Sequence, residues 1–213
     1  MNSILKWAYN FIRPLVPTTY ADFNDVRVKD VKLFDQTKSF PDYESELCNQ
    51  IGNFIQEGMS TTIIGGGRGV STVHAARAVG DTGTINVYEG SREHVELVTD
   101  TIQSNNVSSR VDVHHAVVAA DIGVYTDTEN VNRIDPADLS ATDALVLDCE
   151  AAEIAILSEM EIEPRVIIVE THDRLVPGTT AAIRHILENR GYEIVEERDH
   201  AEGIQVLTGT KLK

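Results

Sequence analysis

The chain has 213 residues, 42% of them apolar, and its 34 acidic and 18 basic side chains give a formal net charge of −16. That length suits one domain with a buried core, and the charge speaks against general nucleic-acid binding, which needs a positive surface to neutralise phosphates. Cys48 and Cys149 form no disulfide framework and no short-spaced metal-ligand pair, and no apolar run approaches the roughly 20 residues of a membrane span, so a cytoplasmic protein without a transmembrane segment is expected.

The acids are spread along the chain and arginine outnumbers lysine. Such a solvated acidic coat is expected of a halophilic protein, kept soluble in high salt. At the start, Ile4, Leu5, Ala8, Phe11, Ile12 and Leu15 follow helical spacing. Interspersed charge makes this stretch a poor signal-peptide core. It reads as a helix that docks on its own domain or on a second copy in a homodimer, with peripheral membrane contact as the alternative. Residues 1–40 are thus read as an N-terminal helix and lead-in segment, irregular from Tyr20 to Pro41, and residues 41–213 as the main domain.

From Pro41 the chain alternates. A helix carries Tyr43, Leu47, Ile51, Phe54 and Ile55 on one face. Thr61 to Ile64 is a β-branched strand that runs into glycines, and Ser71 to Val79 a helix closed by Gly80. Thr84 to Tyr88 is a strand and Ser91 to Asn105 a helix, followed by a strand within Val111 to Val118. Asp135-Pro136 has the signature of a short helix start. Ala144 to Asp148 and Arg165 to Glu170 are apolar strands, each followed by a helix, from about Ala151 to Met160 and from Thr180 to Arg190. Gly191 suits a left-handed helix stop, and Tyr192 to Glu197 with Ile204 to Thr208 read as a closing hairpin. Unbroken apolar strands are those covered on both faces, which predicts a doubly wound, mostly parallel α/β sheet with its ligand site at the strands' carboxyl ends.

Gly65, Gly67 and Gly69 lie between a strand and a helix, where glycine permits a tight turn and close approach of a ligand to the helix N-terminus. The dinucleotide fingerprint would require a glycine at position 70, which is Val70. Glu89 closes the next strand, 20 residues beyond Gly69, where an acid can accept hydrogen bonds from both hydroxyls of a ribose.

The segment Thr62-Ile63-Ile64-Gly65-Gly66-Gly67-Arg68-Gly69-Val70-Ser71-Thr72 resembles the first motif of class I S-adenosylmethionine-dependent methyltransferases, and Val87-Tyr88-Glu89-Gly90 the second. Leu147-Asp148-Cys149-Glu150-Ala151-Ala152-Glu153 and Val169-Glu170-Thr171-His172 resemble segments of the FkbM-type family of these enzymes. The resemblance, from roughly Pro41 to Thr208, implies a Rossmann-like seven-stranded sheet with an antiparallel last strand. It also implies S-adenosyl-L-methionine as cofactor and methylation of an oxygen on a small hydroxylated or sugar-like acceptor. Gly65, Gly66, Gly67 and Gly69 would carry the methionine end, Glu89 and Gly90 the ribose, and Ala116 would lie near the adenine. Asp148 and Glu150 would face the methyl group. Ile63 departs from the family, which often has an acid there for the cofactor's amino group; Asp148 is the expected substitute. Ala151 departs too, where glycine is usual.

An alcohol acceptor must lose its proton to a carboxylate or histidine within reach. Asp148, Glu150 and His172 are the expected catalytic residues, and Glu150 and Glu153 otherwise suit a solvated first helical turn. Asp148, Glu150, Glu170 and His172 offer oxygen and nitrogen donors, but no short-spaced ligand motif is present and no metal is expected. His114 and His115, adjacent on a strand, should face opposite ways. Acceptor recognition is expected from Gly123–Arg133 and Asp173–Thr179. The competing readings are an NAD-dependent oxidoreductase on a Rossmann-type sheet and a cofactor-binding domain without catalysis.

Overall fold

The structure, a computed structural model, describes residues 19–30, 37–119, 131–150 and 152–211. The expected N-terminal helix, Ala151 and most of the Gly123–Arg133 loop lie outside the described residues. The described part of the lead-in is not irregular. Strands β1 (Thr19–Phe23), β2 (Val26–Asp30) and β3 (Ser39–Phe40) form a small sheet in the order β2-β1-β3. Its hairpin turns at Asn24 and Asp25, both at positive φ (50° and 61°), as a two-residue turn matched to strand twist requires. Ala21, Phe23, Val26 and Val28 are buried in the main core, and Arg77 donates to the Asp25 carbonyl at 3.1 Å. The alternation Val26-Arg27-Val28-Lys29 after Asn24-Asp25 is the strand signal that the polar composition obscured.

The main elements follow in the expected order: α1 (Ser45–Phe54), β4 (Ser60–Ile64), α2 (Val70–Val79), β5 (Thr84–Glu89), α3 (Arg92–Ser104), β6 (Val111–Val118), β7 (Asn132–Ile134), β8 (Ala144–Leu147), α4 (Glu153–Glu159), β9 (Val166–Thr171), α5 (Thr179–Asn189), β10 (Tyr192–Ala201) and β11 (Ile204–Lys211). Ser91 caps α3 by accepting from the His94 N–H at 3.3 Å. Asp135 caps a 3₁₀ turn at Pro136–Asp138, and Gly191 follows α5 at φ 81°.

Eight strands form one sheet in the order β10-β11-β9-β8-β4-β5-β6-β7. All neighbours run parallel except β11, which is antiparallel to both β9 and β10. The strand beyond the expected seven is β7, a three-residue edge strand beside β6 that places Arg133 in the sheet. One face packs against α1, α2, α3 and the β1–β2 hairpin through Leu47, Ile51, Ile63, Val73, Val87, Val98, Val146 and Ile168. The other packs against α4 and α5 through Ile64, Leu145, Leu147, Ile156, Leu157, Val169 and Ile183. Burial on both faces is why β8 and β9 read as continuous apolar runs.

Candidate functional site

The chain leaves β4 for β5, β6 and β7 on one side, then returns to β8 and β9 on the other. The gap between the ends of β4 and β8 is therefore the switch point at which doubly wound sheets bind ligands. Ile63, Val87, Val146 and Ile168 face the α1–α3 side. Two residues further along each strand, on the same face, stand Gly65, Glu89, Asp148 and Glu170.

Gly65 (φ 93°), Gly67 (φ 50°) and Gly69 (φ 80°) take left-handed backbone, which glycine adopts freely. Gly69 is the N-cap of α2. A Cβ at Gly66 would lie 3.0 Å from the methyls of both Val87 and Val98, so the loop lies close against the layer beneath. Glu89 fastens it from below. Its Oε2 accepts from the N–H groups of Gly66 (2.9 Å) and Gly67 (3.1 Å), and its Oε1 from that of Ser91 (2.7 Å). Three of the roughly four acceptor positions of this carboxylate are filled, which leaves about one for a ligand. A Cβ at Gly90 would meet Val117 at 2.8 Å, and the Gly90 carbonyl lies 3.1 Å from His115 Nε2. Ala116 faces the side of the sheet opposite Glu89 and His115, so it offers this end of the sheet its backbone only. His114 instead stacks on Tyr88 with ring centroids 4.9 Å apart.

His172 stands at the centre of a buried cluster. Its Nδ1 lies 2.9 Å from Glu153 Oε1, and a carboxylate only accepts, so Nδ1 carries the proton. Its Nε2 lies 3.5 Å from Glu170 Oε1 and 3.6 Å from Asp148 Oδ1. Asp148 and Glu170 meet because Leu147 pairs with Val169 in the β8–β9 ladder, which puts the next residues side by side. Glu153, Glu170 and His172 are buried, and Glu153 Oε2 and Glu170 Oε2 accept no hydrogen bond from any described residue. The alternative reading of Glu153 as a solvated first-turn residue does not hold, because its side chain points into the protein. Glu150 is exposed, at φ 47°, outside this cluster.

The hydrogen-bonded Glu153 carboxylate, and then the nearby carboxylate of Glu170, raise the His172 pKa to about 10. An imidazole held in that way is protonated at neutral pH and is a poor base. Asp148 is pushed well above the usual carboxylate range, first by burial and then by the neighbouring Glu170 and Glu44 charges. Glu44, which sequence reasoning missed, joins from the start of α1. Its Oε2 accepts from the Ser71 N–H at 3.3 Å, its Oε1 lies 3.8 Å from where a Gly67 side chain would begin, and burial raises its pKa to about 7. Ile63 is fully buried against α1–α3, so an acid there would point into the apolar layer beneath the turn. A cavity lined by Phe54, Met59, Arg165 and Lys211 opens at the opposite end of the sheet, away from these groups.

The fold as a whole resembles those of solved structures. The fold is that of the class I S-adenosylmethionine-dependent methyltransferases. An S-adenosylmethionine-dependent O-methyltransferase from Thermotoga maritima aligns over 80% of this chain at 17% identity and a TM-score of 0.56; this chain covers 66% of that protein. A precorrin-6y C5,15-methyltransferase from Geobacter metallireducens aligns over 87% of this chain and 94% of its own, at 13% identity and a TM-score of 0.56. A methyltransferase from Aquifex aeolicus aligns over 79% and 89%, at 12% identity and a TM-score of 0.52. No protein-family model matches the sequence, and no curated protein matches it. Among the described residues, no helix is long and apolar enough to cross a membrane.

Proposed function

We propose that the chain is an S-adenosylmethionine-dependent methyltransferase, of the FkbM type suggested by its motifs, acting on an oxygen of a small hydroxylated acceptor. The observation that carries this reading is the unit formed at the switch point by the glycine turn and Glu89, with the Gly66 and Gly67 N–H groups held on one carboxylate oxygen. The fit to the cofactor rests on the side-chain-free surface of Gly65 to Gly69 and on the acceptor position Glu89 still has for a ribose hydroxyl. When bound, S-adenosylmethionine supplies an electrophilic methyl group on a sulfonium.

The protein's own work is positioning and proton handling. Glu44, set over Gly67, supplies the carboxylate for the cofactor's ammonium that Ile63 cannot, which leaves Asp148 free for the acceptor. Gly90 and the backbone at Ala116 border the adenine side. Asp148 accepts the acceptor's hydroxyl proton. His172 orients Asp148 and Glu170 rather than acting as base. Glu150, exposed at the mouth, contacts the acceptor. Leu175 and Val176, whose N–H groups donate to the His172 carbonyl at 2.9 and 3.0 Å, are exposed and give the acceptor an apolar wall.

Calorimetry on the full chain with S-adenosylmethionine, S-adenosylhomocysteine and NAD separately tests the reading. Micromolar binding of the first two and none of NAD is expected; NAD binding without either would replace it with the oxidoreductase reading.

A further inference from the structure

We infer that Asp148, Glu170 and His172 form a binding site for a divalent transition cation of the Mn²⁺ class, held by two carboxylate oxygens and one imidazole nitrogen. This departs from the sequence expectation of no metal, because the three residues come from separate strand ends that only the fold unites.

The geometry suits an ion. One ligand atom from each residue lies within 4.8 Å of the others. A cation about 2.1 Å from its donors keeps neighbouring donors about 3.0–3.4 Å apart, and His172 Nε2 stands 3.5 and 3.6 Å from its two partners. Those separations are long for hydrogen bonds but close to what a shared cation requires.

Two further observations point to a ligand. Glu170 is more than nine-tenths buried, yet its Oε2 accepts no hydrogen bond from any described residue, an expensive state for a carboxylate oxygen unless something cationic meets it. Glu153 Oε1 meanwhile holds His172 Nδ1 at 2.9 Å. That carboxylate–histidine pairing keeps a proton on Nδ1 and aims Nε2 between Asp148 and Glu170, where a bound cation would take the place of the Nε2 proton, the arrangement typical of histidines that ligate metals. Glu153 is then a positioning residue. The mixed donor set favours Mn²⁺ or Zn²⁺ over Mg²⁺. Three protein ligands leave coordination positions open, at the mouth that Asp148 shares with solvent. The site's existence does not depend on methyl transfer; its role there, taking the acceptor's hydroxyl oxygen and easing loss of its proton, rests on the methyltransferase reading.

The test is calorimetry of Mn²⁺, Zn²⁺ and Mg²⁺ against the metal-stripped full chain, with Mn²⁺ paramagnetic resonance as a second readout. One Mn²⁺ per chain, reversed by a chelator, is expected. Asp148→Asn and Glu170→Gln should each weaken it at least 10-fold, and Glu153→Gln about 10- to 100-fold. Exposed Glu193→Gln on β10 should leave it unchanged, which separates the site from diffuse attraction to an acidic surface. Absence of saturable binding to the wild-type chain at millimolar Mn²⁺ and Zn²⁺, or binding that survives both Asp148→Asn and Glu170→Gln, overturns the inference. Cofactor calorimetry without metal separates the two proposals: a chain that binds S-adenosylmethionine but no cation sinks only this one, and a chain that binds Mn²⁺ but no cofactor sinks only the methyltransferase reading.

Discussion

The backbone carbonyl of Asp148 occupies the space a side chain at Gly65 would need: a Cβ there would lie 1.8 Å from that oxygen. The ends of β4 and β8 thus interlock, and position 65 is closed to any other residue on two counts, contact and a φ of 93°. Gly65→Ala should lower stability by about 3 kcal/mol or more, read as an earlier urea midpoint. A midpoint within error of wild type would show that the two strand ends separate easily.

Glu89 is predicted to organise the turn before any ligand arrives. Glu89→Ala strands three N–H groups, and a cost of about 1–3 kcal/mol in stability is expected. Glu89→Gln keeps one acceptor oxygen and should weaken S-adenosylmethionine binding about 10-fold, or about 1.4 kcal/mol. Unchanged affinity in both variants would remove Glu89 from the cofactor site.

Glu44→Gln tests the substitute anchor. The amide keeps the contact to the Ser71 N–H but not the charge, so S-adenosylmethionine should bind about 10-fold more weakly while adenosine affinity is unaffected. Equal loss for both ligands would mean that Glu44 only shapes the turn.

Asp143 sets an acid-stability limb away from the site. The Ser60 N–H and hydroxyl donate to its Oδ2 at 3.0 and 2.9 Å and hold its pKa below the ordinary aspartate value. A depressed folded pKa contributes stability that is complete above the unfolded value, about pH 4, and is lost as pH falls through the folded one. The stability gap between wild type and Asp143→Asn should therefore hold at pH 6 and close toward pH 2. A gap of constant size would assign the contact a purely neutral role.

A net charge of −16 on 213 residues implies self-repulsion that salt screens. The thermal midpoint should climb by several degrees between about 0.1 and 2 M KCl. A flat or falling midpoint would count against the halophilic reading.

The fold was legible where apolar periodicity was strong. Ile63-Ile64, Leu145-Val146-Leu147 and Ile167-Ile168-Val169 announced buried parallel strands, and Gly80, Ser91 and Gly191 marked helix ends because their local backbone chemistry demands it. Site residues were legible where they end such strands. Gly65, Glu89 and Asp148 each follow a buried column by two positions, so period-2 alternation already put them on one face. Glu44 was not legible, and Glu153 was legible as a motif residue but not as the buried partner of His172, since each reaches the site from a helix start whose docking depends on tertiary packing. Glu150 shows the reverse: motif spacing placed it beside Asp148, but a left-handed turn carries it outward. Val26 to Lys29 was missed because composition outweighed alternation.

Asp148 and Glu170 owe their separation to a hydrogen-bonded ladder between β8 and β9, not to any loop. Whatever binds between them meets a spacing set by the pitch of the sheet itself. The turn from Asp173 to Gly178 hangs beyond that ladder and presents Leu175 and Val176 outward. Exchanging that turn would therefore leave the spacing of the two carboxylates unaltered, because the ladder and not the turn sets it.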